Sequence, residues 1–208
     1  MTRLFVVRHG ETEWNALGLL QGSTDIALAD AGRGQARRAA SALARLVAPD
    51  AVLVSSPLQR AHDTALELAA VLGSQVHLDD RLRERAYGEW EGITPEAREA
   101  GWPEAVAAWH AHGTPDIQGF EGHDLVEARM VEAINEWMAR TSRDLVVFTH
   151  GSAARIGIMG LLGLSLDHRS VGNLGNTCWS RLLRRNDGAW TLERHNVFVD
   201  ALFPGEGL

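Results

Sequence analysis

The chain has 208 residues, a formal net charge of −7 and a hydrophobic fraction of 45%. These values are ordinary for a globular protein and predict one domain over residues 1–208, at roughly 100–200 residues per domain. They exclude intrinsic disorder of the whole chain, and the negative charge argues against broad nucleic-acid binding. No apolar run approaches the roughly 18–20 residues that a membrane span needs.

All 20 basic residues are arginine, which excludes a lysine Schiff base and a lysine-bearing P-loop. The single cysteine, Cys178, excludes an internal disulfide. The apolar stretch at 4–7 is too short for a signal peptide, so we expect a cytoplasmic protein without a membrane partner. A few focused arginines can still bind a small anion in spite of the overall negative charge.

Strands and helices alternate through the first part of the chain. The predicted elements are a buried strand at 4–7, a polar loop up to about residue 30, a helix at 32–47, a strand at 51–54, a helix at 58–72 and a strand at 75–78. The residues from 79 to 124 are rich in glycine and proline, which favours an insertion with short helices at 96–100 and 103–111.

The last part of the chain returns to regular elements. The predicted elements are a helix at 125–140, a strand at 144–148, a helix at 153–162 and a hairpin of strands at 179–183 and 189–194 around Asn186-Asp187-Gly188. The whole pattern predicts a three-layer α/β/α sandwich with a mostly parallel central sheet and a small helical lid at about 93–124.

Two histidines follow apolar strands in the same way. One strand ends at Arg8-His9-Gly10 and another at Thr149-His150-Gly151. Because ligands of open α/β sheets bind beyond the carboxyl ends of the strands, both rings are expected at one edge. A third strand leads into a helix with Arg60 in its first turn, which adds a guanidinium group there.

This combination indicates a phosphate site without a metal. Arginine presents planar donors to phosphate oxygens, and a neutral histidine is a good nucleophile toward phosphorus. Phosphoryl transfer depends mostly on positioning and charge stabilisation, so such a cluster can suffice without a cofactor.

Four separated motifs resemble those of the histidine phosphatase (phosphoglycerate mutase-like) superfamily. They are residues 4–15 with Gln21-Gly22, residues 55–65, residues 82–92 and Thr149-His150-Gly151. The resemblance covers most of the chain and implies a phosphatase that acts through a phosphohistidine intermediate. Since dimers are common in the family, it also implies a homodimer.

The resemblance also implies roles for individual residues. His9 is the expected nucleophile, and Glu84 is the expected proton donor and later the base that activates water. The groups expected to bind the phosphoryl group or substrate are Arg8, Asn15, Gln21, Gly22, Arg60, His150 and Gly151.

Two alternatives stay open beside a metal-independent phosphatase of small phosphorylated metabolites. A bisphosphoglycerate-dependent mutase would need a basic lid, but residues 93–120 hold one basic residue other than histidine, Arg98. A non-catalytic phosphate-binding or protein-binding module is disfavoured because the catalytic residue types are all present. The motif around Tyr87 also resembles the phosphatase branch, and the segment at 173–179 resembles phosphatases of phosphorylated sugar acids.

Several neighbouring side chains are assigned plainer roles. Glu89 and Glu91 compete with Glu84 for the acid role, whereas Arg83 and Arg85 are expected to face solvent or pair with nearby carboxylates. His123 stands where many family members have a glutamate before the long helix, which affects lid docking. The histidines His62, His77, His168 and His195 have no convergent partners in the sequence pattern. His110 and His112, with His123 and Asp124, suggest a metal site, but an i, i+2 spacing does not place both rings on one face of a helix. Since no cysteine or paired carboxylate completes such a site, a metal is not expected.

Overall fold

The structure is a computed structural model that describes residues 2–166 and 170–198, apart from the side chain of His112. His168 therefore lies outside the described residues. The strands are β1 (Arg3–Arg8), β2 (Val52–Ser55), β3 (Val76–Leu78), β4 (Leu145–Thr149), β5 (Trp179–Arg184) and β6 (Trp190–Val197). The α-helices are α1 (Glu13–Ala16), α2 (Asp30–Ala44), α3 (Gln59–Leu72), α4 (Pro95–Gly101), α5 (Pro103–His112), α6 (His123–Arg140) and α7 (Gly151–Leu161).

The six strands form one sheet in the order β3-β2-β4-β1-β5-β6. The first four strands of this order are parallel, and β5 and β6 are antiparallel. In the register of β1 against β4, Arg8 lies opposite Thr149. The carboxyl ends of these two central strands are therefore level with each other, and the histidines that follow them begin at the same edge.

Helices cover both faces of the sheet because the strand residues alternate between two apolar cores. Phe5 and Val7 of β1 pack with residues of α2 and α3, and Leu4 and Val6 pack with residues of α6 and α7. This alternation follows the two-residue period of a strand whose two faces are both covered. The predicted three-layer α/β/α sandwich with a mostly parallel sheet is confirmed.

Most predicted elements are present with boundaries shifted by a few residues. The loop before α2 differs from the prediction because it contains the short helix α1. Thr12 caps α1 by accepting from the backbone N–H of Asn15, and the Asn15 side chain accepts in return from the backbone N–H of Thr12. None of the described helices is long and apolar enough to span a membrane.

The predicted lid contains α4 and α5, which pack over an aromatic cluster. Its members are Leu20, Tyr87, Trp90, Trp102, Ala105, Val106, Trp109, Ile117 and Phe120. The Arg98 guanidinium lies 5.6 Å from the ring centre of Trp90 and 5.3 Å from that of Trp109. The only basic residue besides histidine in 93–120 is thus buried within the lid.

Arg85 is buried, and the prediction that it faces solvent or pairs with a carboxylate is wrong. Its Nε donates to the backbone oxygen of Glu121, and its Nη2 donates to that of Gly113. Its guanidinium group also lies 4.1 Å from the ring centre of Phe120. Arg85 therefore fastens the end of the lid to the body, whereas Arg83 is partly exposed and pairs with Asp80 as expected.

Candidate active site

The structure brings the predicted site residues together at the carboxyl edge of the sheet. A cavity of about 160 Å³ is lined by Arg8, His9, Asn15, Gln21, Gly22, Arg60, Glu84 and Gly151, and also by Leu19, Leu20, Tyr87, Ser152 and Asn173. His150 lies beside this cavity, with its ring centre 5.1 Å from that of His9. Segments from distant parts of the chain thus meet around a space of the size of a small anion.

His9 is held by the end of β1 and by its own neighbouring carbonyl. Its backbone N–H donates to the backbone oxygen of Thr149, and its Nδ1 lies 2.7 Å from the backbone oxygen of Gly10. A carbonyl oxygen only accepts, so Nδ1 carries the hydrogen and Nε2 of the neutral ring has the lone pair. Burial, then the charges of Arg60 and Arg8, holds the pKa of His9 well below its ordinary value of 6.5.

His150 occupies the N-cap position of α7, makes no capping hydrogen bond with its side chain and is fully buried. Its Nε2 lies 2.8 Å from the hydroxyl oxygen of Ser56, which follows β2. Its other ring nitrogen, Nδ1, is buried without a hydrogen-bond partner. Burial, then the charge of Arg60, lowers the pKa of His150 well below 6.5, so this ring is also neutral near neutral pH.

Two arginines next to the histidines are held through backbone oxygens. Arg8 donates from Nη1 to Leu174, and Arg60 donates from Nη1 to Thr24 and from Nη2 to Gly22. The Nε atom of each arginine is buried without a partner. Burial lowers the pKa of Arg60 to about 10, which still leaves the group cationic at neutral pH.

Asn15 is oriented by an asparagine that the site prediction did not include. The Oδ1 atom of Asn15 accepts from the backbone N–H of Thr12 and from Nδ2 of Asn176. Asn176 also donates to the backbone oxygen of His9. With its oxygen used in this way, Asn15 offers its Nδ2 hydrogens to the cavity. The Oε1 atom of Gln21 is buried and has no partner.

Glu91 does not line the cavity but organises the loop beside it. Its carboxylate accepts from the backbone N–H groups of Ser23, Thr24 and Tyr87. Gly22 has a φ of 53°, and a Cβ atom there would lie 1.9 Å from Oε1 of Glu91. The left-handed backbone and this close approach both require glycine at position 22. This loop supplies the backbone oxygens of Gly22 and Thr24, which accept hydrogen bonds from Arg60 of α3.

Glu84 lies at the amino end of α7, where its carboxyl group meets backbone donors. Its Oε1 accepts from the N–H groups of Arg85 and Ala153, and its Oε2 accepts from that of Ser152 at 3.1 Å. Oε2 thus has fewer of these bonds and retains a lone pair for a proton. Of the competing carboxylates, Glu89 is exposed, so Glu84 is the acidic side chain at the cavity.

A second cavity of about 340 Å³ adjoins the first. Tyr87, Ser152 and Asn173 line both cavities. The nitrogen-bearing side chains of the second cavity's wall include Arg85, His110, His123 and Arg155. Within the described residues, no group of three or more His, Cys, Asp or Glu side chains is arranged to hold a metal ion.

The sequence pattern missed the residues that support the site from behind. Ser56, Glu91 and Asn176 act through other residues, and their partners are distant in the chain. Ser56 carried one signal, since it follows a predicted strand at the same sheet edge as the histidines. Glu91 and Asn176 had no local signal for their partners.

Comparison with known proteins agrees with this geometry. The family model of the histidine phosphatase superfamily (branch 1) matches residues 4–197. A glucosyl-3-phosphoglycerate phosphatase of Mycolicibacterium vanbaalenii is 38% identical over 189 residues, which cover 86% of this chain and 83% of that protein. Phosphoserine phosphatase 1 of Hydrogenobacter thermophilus is 34% identical over 169 residues, covering 80% of this chain and 79% of that protein.

A solved structure extends the likeness to the fold. The structure of a mycobacterial glucosyl-3-phosphoglycerate phosphatase complexed with VO3 has a TM-score of 0.86 and 33% identity, covering 95% of this chain and all of that one (100%). The predicted family and the predicted phosphatase class are confirmed. The chain belongs to the histidine phosphatase superfamily (branch 1), and the two relatives described above are phosphatases.

Proposed function

We propose that the chain hydrolyses small phosphomonoesters without a metal ion, through a phosphohistidine formed on His9. The observation that carries this proposal is a set of buried nitrogen atoms without partners. They are Nε of Arg8, Nε of Arg60 and Nδ1 of His150. Buried polar atoms are normally paired, so a group of unpaired ones around a cavity supports a bound partner, and the two arginine nitrogens, which only donate, require an acceptor. A phosphoryl group has the oxygens and the negative charge to fill this role.

The first step transfers the phosphoryl group to the protein. The Nε2 lone pair of His9 attacks phosphorus, an N–P bond forms, and the bond from phosphorus to the ester oxygen breaks. The departing oxygen takes a proton from the carboxyl group of Glu84. Arg8, Arg60 and His150 stabilise the charge on the phosphoryl oxygens, and Asn15 donates from its amide.

The second step releases phosphate. The Glu84 carboxylate takes a proton from water, and the water oxygen attacks phosphorus. The N–P bond breaks, its electrons return to Nε2 of His9, and inorganic phosphate leaves. The guanidinium groups supply the positive charge that a divalent cation supplies in metal-dependent phosphatases.

The second cavity favours substrates with a polar or acidic part beyond the phosphate. Its wall includes Arg85 and Arg155 and adjoins the phosphate cavity. The two relatives are named for glucosyl-3-phosphoglycerate and phosphoserine, and each of these compounds combines a phosphate ester with a carboxylate. We therefore place phosphorylated carboxylic acids first among the substrates of this chain. Arg98 is buried between tryptophans, so a basic lid for a mutase finds no support.

Hydrolysis in the presence of a chelator tests the proposal. The wild-type chain is expected to hydrolyse p-nitrophenyl phosphate at the same rate with and without EDTA. His9→Ala is expected to lower kcat by at least about 1,000-fold, because the nucleophile is lost. Loss of wild-type activity in EDTA that added metal restores, or full activity of His9→Ala, would refute it.

A further inference from the structure

We propose that Ser56 sets the tautomer of His150, so that Nδ1 of this ring presents a hydrogen to the phosphoryl group. The proposal rests on the proposed function, in which His150 binds the transferred group. Ser56 is then a positioning residue, because it acts through the ring and does not touch the substrate.

The hydrogen bonds of the Ser56 hydroxyl group identify the direction of its contact with the ring. Its oxygen accepts from the backbone N–H of Leu58 at 3.3 Å and lies 2.8 Å from Nε2 of His150. A hydroxyl group has one hydrogen and two acceptor lone pairs. If Nε2 carried the hydrogen, the oxygen would accept twice, and the buried O–H of Ser56 would have no acceptor within the part of the chain that the structure describes. If the O–H donates to Nε2, every group in the contact is paired.

The neutral state of the ring completes the inference. Because the pKa of His150 lies well below 6.5, the ring carries a single hydrogen at neutral pH. When the Ser56 hydroxyl group donates to Nε2, Nε2 is the acceptor, and the single ring hydrogen is therefore on Nδ1. Nδ1 is buried without a partner beside the His9 ring, so a phosphoryl oxygen can accept from it. The opposite tautomer would direct a lone pair at an anion, which is repulsive.

The two histidines thus have the same tautomer for opposite purposes. In His9, a carbonyl acceptor holds the hydrogen on Nδ1 and leaves Nε2 as the nucleophile. In His150, a hydroxyl donor occupies Nε2 and leaves the Nδ1 hydrogen for the ligand. One ring attacks phosphorus while the other stabilises its oxygens.

Nitrogen-15 NMR of the full chain without substrate tests the inference directly. The His150 signals are assigned by their loss in His150→Gln, and the ring couplings distinguish a protonated from an unprotonated nitrogen. The wild-type ring is expected to carry its hydrogen on Nδ1, and inorganic phosphate is expected to shift that signal. Ser56→Ala is expected to give a mixture of tautomers, whereas Ser56→Thr keeps the hydroxyl group and the wild-type tautomer.

Ser55→Ala is the matched control. Ser55 is equally buried, but its hydroxyl group donates to the backbone oxygen of Ser56 and not to the ring. With p-nitrophenyl phosphate, Ser56→Ala is expected to lower kcat by about 10-fold, the scale of one hydrogen bond, with a smaller change in KM. Ser55→Ala is expected to leave the tautomer unchanged.

A hydrogen on Nε2 in the wild-type chain, or an unchanged Nδ1–H tautomer in folded Ser56→Ala, would overturn the inference. The wild-type spectrum decides the tautomer even if Ser56→Ala does not fold. Failure of the proposed chemistry is separate, since it would appear as absent wild-type hydrolysis whatever the tautomer.

Discussion

At the scale of single residues, burial prepares His9 and His150 for different tasks at the same pH. Both rings lie inside the protein next to guanidinium groups, and both have a pKa well below 6.5. A protonated His9 has no lone pair for phosphorus, so the depressed pKa keeps the nucleophile available below neutral pH. In the proposed reaction, the bound phosphoryl group supplies the negative charge that the cationic arginines and neutral rings lack in the free protein.

The depressed pKa values predict a loss of stability in acid. Below pH 6.5, the unfolded chain protonates these histidines while the folded chain keeps them neutral, so the unfolded state binds more protons. The contribution of these histidines to the free energy of unfolding is therefore fully present above that pH. It falls as pH decreases, by at most about 1.4 kcal/mol per pH unit for each ring.

Urea unfolding between pH 7.5 and pH 5.5 (roughly one unit either side of an ordinary histidine pKa) measures this loss. His150→Gln removes one titrating ring and is expected to have a shallower dependence on pH than the wild-type chain. An identical dependence in the two proteins would show that His150 is not held neutral.

Single residues also show what sequence can predict. His9, His150 and Arg60 were predictable because each follows a strand whose end is visible in the apolar pattern. Arg85 was not, because its burial depends on the lid folding over it and offering the backbone oxygens of Gly113 and Glu121.

At the scale of elements, a loop between α1 and α2 positions the arginine of α3. The backbone oxygens of Gly22 and Thr24 hold Arg60, and the carboxylate of Glu91 holds the same loop through backbone N–H groups. The Glu91 carboxylate thus holds the loop, the loop holds the Arg60 guanidinium group, and that group lies at the cavity. This chain of contacts links two sequence motifs that are distant from each other.

Glu91→Gln is expected to weaken both the loop and the site. An amide NH2 group replaces one acceptor oxygen, so a backbone N–H of Ser23, Thr24 or Tyr87 loses its carboxylate partner. We expect a stability loss of about 1–3 kcal/mol and a fall in kcat/KM because Arg60 is less well held. Thermal unfolding and p-nitrophenyl phosphate hydrolysis measure these effects.

Glu89→Gln is the matched control, since Glu89 is exposed in the same motif. It is expected to behave as the wild-type chain does. Equal effects of the two substitutions would show that the contacts of Glu91 have no special role.

The sequence predicted which elements exist better than where they end. Helix α1 was missed because it has four residues and no apolar face, and its signal is the reciprocal cap of Thr12 and Asn15. Helix α2 begins at Asp30 and ends at Ala44, earlier at each end than the apolar pattern predicted. Such ends depend on capping and tertiary contacts, which periodicity does not contain.

At the scale of the whole molecule, the sheet order brings the motifs together. Strands β2, β4 and β1 are neighbours, so Ser56, His150 and His9 begin at adjacent strand ends. The lid then closes over this edge and forms the larger cavity beside the phosphate cavity. The sandwich was predictable from alternating elements and the insertion from its glycine and proline content. The shape of the larger cavity was not predictable, because it depends on how the insertion packs.

Arg155 of α7 gives this cavity a testable selectivity. Arg155→Met is expected to lower kcat/KM for phosphoglycolate by about 10-fold and to have little effect on ethyl phosphate, which lacks the carboxylate. Arg37→Met is the control, since Arg37 is an exposed arginine of α2. An equal loss on both substrates would remove Arg155 from the recognition of an acidic group.

Trapping the intermediate tests most directly whether His9 carries the phosphoryl group. The wild-type chain is mixed with labelled p-nitrophenyl phosphate, quenched in alkali and mapped by mass spectrometry of its peptides. We predict one phosphoryl group on His9, formed and lost fast enough to account for turnover, and none in His9→Ala. Turnover by the wild-type chain without a labelled protein, or a label on a different residue, would contradict the proposed chemistry.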